Sequence, residues 1–500
     1  MARSPDVLED PTPLDSPRVD VRVRVAWLLR MSRTAGVDGV SLSVTEMARR
    51  LKDLGISASA PSVSGWETGR VAPGTAALEA YEAVLGREPG ILRSAVDVVR
   101  RSHGHERPGP LPPPPKLADL DRLTDRVMGT RRATGLDWLH FCEAALTVRP
   151  GLPRRLLRPT IDRLLSEVSR SVFTAYVTRY EALSLLRCGQ YGSLVLQAAR
   201  DYVDEPGVQV VAEALGVVAE RADRPCLRLL LPHLTSEDPV MMRGATIGLR
   251  NLASVGGLST ADWDHVVAPF VAAFNAHAED ERQRRLLSNL WHVLPPTVRS
   301  ATRPDLVHPV DPAPQAWDAA RLERHVGFCS GTTARVCEDA GIQYQPLLAR
   351  LLFEAAFDPR GDRSWTATLL MMASPLRGAI AAAMSDAADH HDDPVVRAAA
   401  RDLLVGLGHE ASNKHAVAWL AGDDPDLVAA ALVELAHNQH PVPEDRITAF
   451  LTQPDPVPRR ALYYAGMVGL PALRPIAEDP SHRLHAAAVW WRRHGTVVTA

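Results

Sequence analysis

Apolar residues along the first hundred positions recur at intervals of three and four. Val19, Val23, Ala26, Trp27 and Met31 share one helical face, and the stripe breaks between Gly36 and Gly39. Ser43-Val44-Thr45-Glu46 then precedes Met47, Ala48 and Leu51. This is the spacing of a capping box, in which Ser43 accepts from the backbone of Glu46 and the Glu46 carboxylate reaches back. A second helix is therefore expected from Val44 to about Gly55. Pro61 suits the first turn of a third helix ending near Gly69. Leu78, Tyr81 and Leu85, then Ile91, Ala95, Val98 and Val99, predict one or two more.

The flanks read differently. Residues 1–18 hold four prolines and several acids with no period, which predicts a disordered lead-in. Residues 102–116 end in a run of prolines that favours a polyproline II spacer, and so a domain boundary. From residue 117 to residue 500 amphipathic helical segments alternate with short Asp-Pro or Gly/Pro punctuation. Asp-Pro opens segments at positions 393, 424 and 455, a constant interval of 31 residues. Asp479-Pro480, Asp238-Pro239 and Glu205-Pro206 read as further members. In such a unit Asp caps the helix and Pro starts its first turn, while the following apolar positions face the next repeat. Over residues 160–494 this pattern resembles HEAT-like repeats, a scaffold whose concave face mostly takes proteins or peptides. The fold class expected is all-α: a small N-terminal domain over residues 19–101, a linker, and a C-terminal α-solenoid.

Composition agrees with helices, since 46% of the chain is apolar, only 5% aromatic, and 500 residues exceed what one core supports. The net charge of −3 gives no overall attraction to nucleic acid, so any basic surface must be local. Lys52, Lys116 and Lys414 are the only lysines, and the arginine bias fits a bacterial genome of high GC content. Five scattered cysteines read as reduced core thiols. Without a signal-like start or a membrane-length apolar run, a cytoplasmic, nucleoid-associated location is expected.

The most informative stretch runs from Ser62 to Gly86. It opens Ser-Val-Ser-Gly-Trp-Glu-Thr-Gly-Arg-Val-Ala-Pro and closes Leu-Glu-Ala-Tyr-Glu-Ala-Val-Leu-Gly. This resembles the recognition helix and following helix of Cro/repressor-type (XRE) helix-turn-helix domains, over residues 19–101. The resemblance implies that Val63 and Trp66 are buried, that Glu67 lies near the helix end, and that Gly69 takes a left-handed turn. It further implies that Ala60, Pro61, Ser62, Ser64, Gly65 and Thr68 enter the major groove of duplex DNA, with Ser43, Thr45 and Arg70 near phosphates. The chain departs from the family where Ala60, Pro61 and Gly65 replace bidentate base readers, where Val44 replaces the usual Gln, and where residues 52–59 lengthen the turn. Readout would then fall to the Ser62 and Ser64 hydroxyls and to methyl contacts, helped by DNA shape, Arg22 or Arg24, or dimer geometry. Residues 19–101 carry 12 basic and nine acidic side chains. That surplus suffices for some phosphate contacts; the alternative is a solvated surface on a protein-contact domain.

Enzymatic and metal chemistry find little support. No P-loop, Gly-x-Ser-x-Gly elbow or His-Glu-x-x-His motif is present. His390-His391-Asp392-Asp393 points its side chains in different directions. His325, Cys329 and Cys337 lack a fourth ligand and read as buried thiols beside a surface histidine. Trp490-Trp491-Arg492-Arg493 reads as a terminal repeat covering its apolar edge rather than a nucleic-acid patch. The expectation is a non-enzymatic transcriptional regulator without cofactor or metal, homodimeric on operator DNA, whose repeats dimerise it, bind a protein or peptide partner or sense a signal. An adaptor that brings a repeat-bound partner to DNA with weak sequence specificity is the alternative; selected sites converging on one palindrome would separate the two.

Overall fold

Helices form where the apolar stripes place them, in a computed structural model that describes residues 7–16, 18–35, 41–103, 115–129 and 132–499. Five of them build the N-terminal part: α1 (Val21–Thr34), α2 (Val44–Asp53), α3 (Ala60–Trp66), α4 (Thr75–Val84) and α5 (Ile91–His103). Asp20 caps α1 and Ser43 caps α2, each accepting from a backbone N–H of the first turn. The α2 helix packs on α3 and α4, α4 packs on α5, and α5 packs on α1. Trp27, Leu28, Met47, Leu51, Val63, Leu78 and Tyr81 are wholly buried between them. Each such apolar side chain contributes roughly 1.5–3 kcal/mol.

These helices belong to a unit that is discontinuous in sequence, residues 1–110, 317–358 and 363–441; the second unit comprises residues 111–316, 359–362 and 442–500. The division differs from the expected one, in which residues 19–101 stood apart from a single array over 117–500. In unit 1, Ala319–Asp339 packs on Pro346–Phe357, Arg377–His390 on Pro394–Leu407, and Asn413–Leu420 on Pro425–His437. Contacts from 394–407 to both 346–357 and 425–437 stack the pairs in order. In unit 2, Gly135–Thr147 packs on Phe173–Cys188, and Pro239–Val255 on both Ala212–Val218 and Arg224–Leu234. The closing helix of that unit, His485–His494, buries Trp490 and Trp491, as a terminal repeat covering its edge would.

The lead-in is a correction. Within residues 1–18, positions 7–16 and 18 follow a definite path, with Asp10 buried against Arg24 at 2.9 Å. Arg350 donates to the Asp10 carbonyl at 2.7 Å, and Arg363 to the carbonyls of Leu14 and Arg18 at 3.1 and 2.7 Å. A segment without helical period is ordered here because guanidinium donors from later in the chain satisfy its backbone acceptors. Composition registers nothing of that kind. The proline-rich boundary over residues 102–116 falls largely on 104–114, outside the described residues; 102 and 103 belong to α5.

The Asp-Pro repeats are correct in part. Asp238, Asp393 and Asp424 cap helices that begin at Pro239, Pro394 and Pro425. At the third position of the 31-residue series the helix starts at Val457 with Pro456 as its cap, and Asp455 pairs with Arg459 and Arg483 instead. Asp479 closes a local turn onto Ser481, and Glu205 is followed by a helix only from Ala212. Cys142, Cys226, Cys329 and Cys337 are core thiols as expected, whereas Cys188 is exposed. His325, expected at the surface, is buried between Trp317 and Phe357. Among the described residues no three His, Cys, Asp or Glu side chains gather as a metal requires, and no helix is long and apolar enough to cross a membrane.

Candidate nucleic-acid interface

The short α3 helix is held from both ends. At its start Ser59 and Ser62 cap each other, backbone N–H to hydroxyl in both directions at 3.3 Å, with the two hydroxyls 2.9 Å apart. Pro61 occupies the first turn, where its missing N–H costs nothing. At the other end Glu67 is buried and clamped by Arg33, Nε to Oε1 at 2.7 Å and Nη2 to Oε2 at 2.6 Å. The Tyr81 hydroxyl donates to the same carboxylate at 3.2 Å, and Arg33 also reaches the Leu42 carbonyl at 2.5 Å. Burial first, and then the Glu67 charge, push the Tyr81 hydroxyl well above its usual pKa, so it stays a donor. One fork–fork pair thereby ties α1, the end of α3 and α4 together.

Gly69 follows with φ +73°, and a Cβ there would sit 3.2 Å from the Arg22 backbone. Two separate constraints thus demand glycine, the left-handed conformation and the approach of α1. They also bring Arg22 beside the chain that leads into Arg70.

The residues singled out for DNA contact fall into three groups. Ser43, Thr45, Pro61 and Arg70 are exposed. Ala60, Ser62, Ser64 and Thr68 are half-buried, and the polar ones are occupied within the fold. Ser62 is part of the cap. Thr68 donates to the Ser64 carbonyl at 2.7 Å and receives Arg70 Nε at 3.0 Å, while Arg70 Nη2 lies 3.4 Å from the Ser64 hydroxyl. Gly65 is buried, with the Val71 side chain 3.5 Å from where its Cβ would stand. Trp66 is half-buried rather than buried and meets Tyr81 edge to face at 6.1 Å. Arg24, expected as a helper in recognition, is wholly buried and forks onto Glu354 at 2.7 and 2.8 Å.

Charge follows the same pattern. Arg49 and Arg50 both close on Glu46, and Arg49 also on Asp53. These hydrogen bonds hold the Glu46 carboxyl down to about 2 and take it away from the N–H of Ser43, so only half of the expected capping box forms. Arg93 pairs with Glu79, and Arg87 donates to the Ala373 carbonyl. Among the described residues the exposed cations of this region that meet no carboxylate are Arg22, Lys52 and Arg70. Sequence reasoning missed the Arg33–Glu67–Tyr81 clamp; the 34-residue gap between Arg33 and Glu67 carries no local signal.

No protein-family model matches this chain, and no curated protein does. Among solved structures it is similar to the karyopherin Kap121p bound to the extreme C-terminus of the phosphatase Cdc14p, at 12% identity and a TM-score of 0.27, over 75% of this chain and 41% of that one. A Kap121p mutant gives the same figures. A TOG-domain array of microtubule polymerases is similar at 11% identity and a TM-score of 0.21, over 69% of this chain and 99% of that one. The chain spans about two fifths of the karyopherin's length. The described residues form an all-helical chain whose helices pair and stack in order.

Proposed function

We propose that residues 19–101 form an XRE-type helix-turn-helix that sits on duplex DNA through α3 and the start of α2, and that the chain serves as an adaptor. In this reading the helical repeats carry a protein or peptide partner to DNA, and the head discriminates weakly between sequences. The observation that carries it is the state of the α3 side chains. Ser62 is bound into the cap, Ser64 and Thr68 face Arg70, and Gly65 is buried, which leaves few donors or acceptors for base edges. Arg22, Lys52 and Arg70, with the exposed Ser43 and Thr45, supply phosphate contacts instead.

The test is fluorescence anisotropy of the full chain against random and in vitro selected duplexes at several salt concentrations. Binding to both within about tenfold supports the adaptor, since specific regulators separate the two by roughly 10³ or more. Arg70→Ala should weaken both alike and reduce the salt slope by about one unit. Selected sites that converge on one palindrome would make the protein an operator-specific regulator. No binding to either duplex removes the DNA reading.

A further inference from the structure

Unit 2 contains a cluster of cations that the DNA reading does not use. Helix Arg154–Val168 ends beside the C-terminal segment, where Ser171 and Val498 form a parallel bridge. A cavity of about 240 Å³ lies there, walled in part by Arg132, Arg163, Glu167, Arg170 and His494.

Its charges do not balance. The one carboxylate in the wall is already engaged: Glu167 Oε1 accepts from Arg163 Nε at 3.0 Å, and Oε2 from Arg179 Nε at 2.9 Å and Trp138 Nε1 at 2.8 Å. Glu205 is turned to His494 at 2.7 Å. Arg170, only 8% exposed, donates to neutral oxygens alone, the Ser166 and Thr496 carbonyls at 3.1 and 2.6 Å and the Ser166 hydroxyl at 3.5 Å. Arg132 does the same, with the Val497 carbonyl at 2.8 Å and the Thr496 hydroxyl at 3.2 Å. Among the described residues neither guanidinium touches a carboxylate. An unbalanced buried cation is costly, and burial depresses the pKa of Arg170, with the charges of Arg132 and Arg179 acting in the same direction against that of Glu167.

We propose that this cavity binds a small phosphate-type oxyanion, either free phosphate or the phosphate of a small monoester, held by Arg132 and Arg170 with Arg163 at its edge. A tetrahedral dianion supplies the missing counter-charge, and its paired oxygens match guanidinium forks. Each guanidinium has five N–H donors, and the protein contacts of Arg132 and Arg170 occupy two and three of them. The volume exceeds that of a phosphate ion and leaves space for a compact ester group.

Thermal unfolding of the full chain tests this, with inorganic phosphate, glycerol phosphate and sodium chloride compared at matched ionic strength and pH. A saturable rise of a few degrees in the midpoint with either phosphate, absent with chloride, is expected. A rise with glycerol phosphate identifies an ester ligand, and one with inorganic phosphate alone identifies the free ion; both support the site. Arg132→Ala, at an exposed position, should fold normally and lose the phosphate response. Arg170→Gln should lose it too while keeping or raising the phosphate-free midpoint, because it removes a buried charge without a counter-ion. If Arg170→Gln fails to fold, the response of Arg132→Ala alone decides between site and no site. No phosphate-specific rise in the parent, or a rise that Arg132→Ala retains, overturns the proposal.

Discussion

At the scale of single residues, the head is governed by one buried pair. Arg33 and Glu67 share two hydrogen bonds away from water, so removing either partner strands a charge inside the fold. Arg33→Ala should cost roughly 3–5 kcal/mol, as broken buried pairs do, and shift the urea midpoint followed by tryptophan fluorescence. Trp66→Ala should cost less than the roughly 3–5 kcal/mol of a wholly buried aromatic, because Trp66 is only partly buried. If Trp66→Ala proves the more damaging of the two, the clamp is not the principal lock on α3. Gly69→Ala meets both a left-handed φ and the Arg22 backbone, and should destabilise by at least about 1–2 kcal/mol on the same assay, a magnitude set by the handedness penalty.

At the scale of elements, the lead-in and the repeat helices answer to pH in opposite ways. Burial alone would raise the carboxyls of Asp10 and Glu354. Hydrogen bonds from Thr12 and the charge of Arg24 outweigh it for Asp10, as do Arg24, Arg363 and Arg350 for Glu354, so both lie below their ordinary values. Their stabilisation is present above the unfolded-state values of 3.8 and 4.5 and is lost as pH falls below them. Asp10→Asn should therefore lower stability at neutral pH and flatten the acid limb. Glu434 on helix Pro425–His437 behaves inversely, since burial raises it to about 7. Between 4.5 and about 7 the folded state holds its proton more tightly than the unfolded chain, so stability falls as pH rises, by on the order of 3 kcal/mol in total. Glu434→Gln should be more stable than the parent at about pH 8 and show no such advantage near pH 4. Urea titrations across this range would show both effects, and a parent–variant difference independent of pH would contradict the assignment.

At the scale of the whole molecule, unit 1 makes the head part of a larger body. Arg24 places a wholly buried guanidinium on Glu354, and Arg350 and Arg363 hold the lead-in. A cut within residues 104–114 should leave residues 1–103 attached under native conditions and release them only in denaturant. A fragment ending at residue 103 should unfold at lower urea than the same helices in the full chain, because Arg24 keeps Asp10 but loses the Glu354 fork. Free release of a stably folded head after limited proteolysis would restore the tethered arrangement that the proline-rich stretch suggests.

What was legible in the sequence was whatever short-range rules control. Apolar stripes at three and four, Ser43 ahead of α2, Pro61 and Gly69 around α3, and three of the Asp-Pro caps all depend on residues a few positions apart. Those rules are enough for an all-helical chain with paired repeats. Tertiary structure alone decided where the charges went. Arg24 sits opposite Glu354, Arg33 opposite Glu67, and Arg132 and Arg170 share a cavity whose one carboxylate, Glu167, hydrogen-bonds to other side chains. A count of arginines treats every guanidinium as available to phosphate, yet burial and pairing depend on partners tens to hundreds of residues away, whose positions no local pattern encodes.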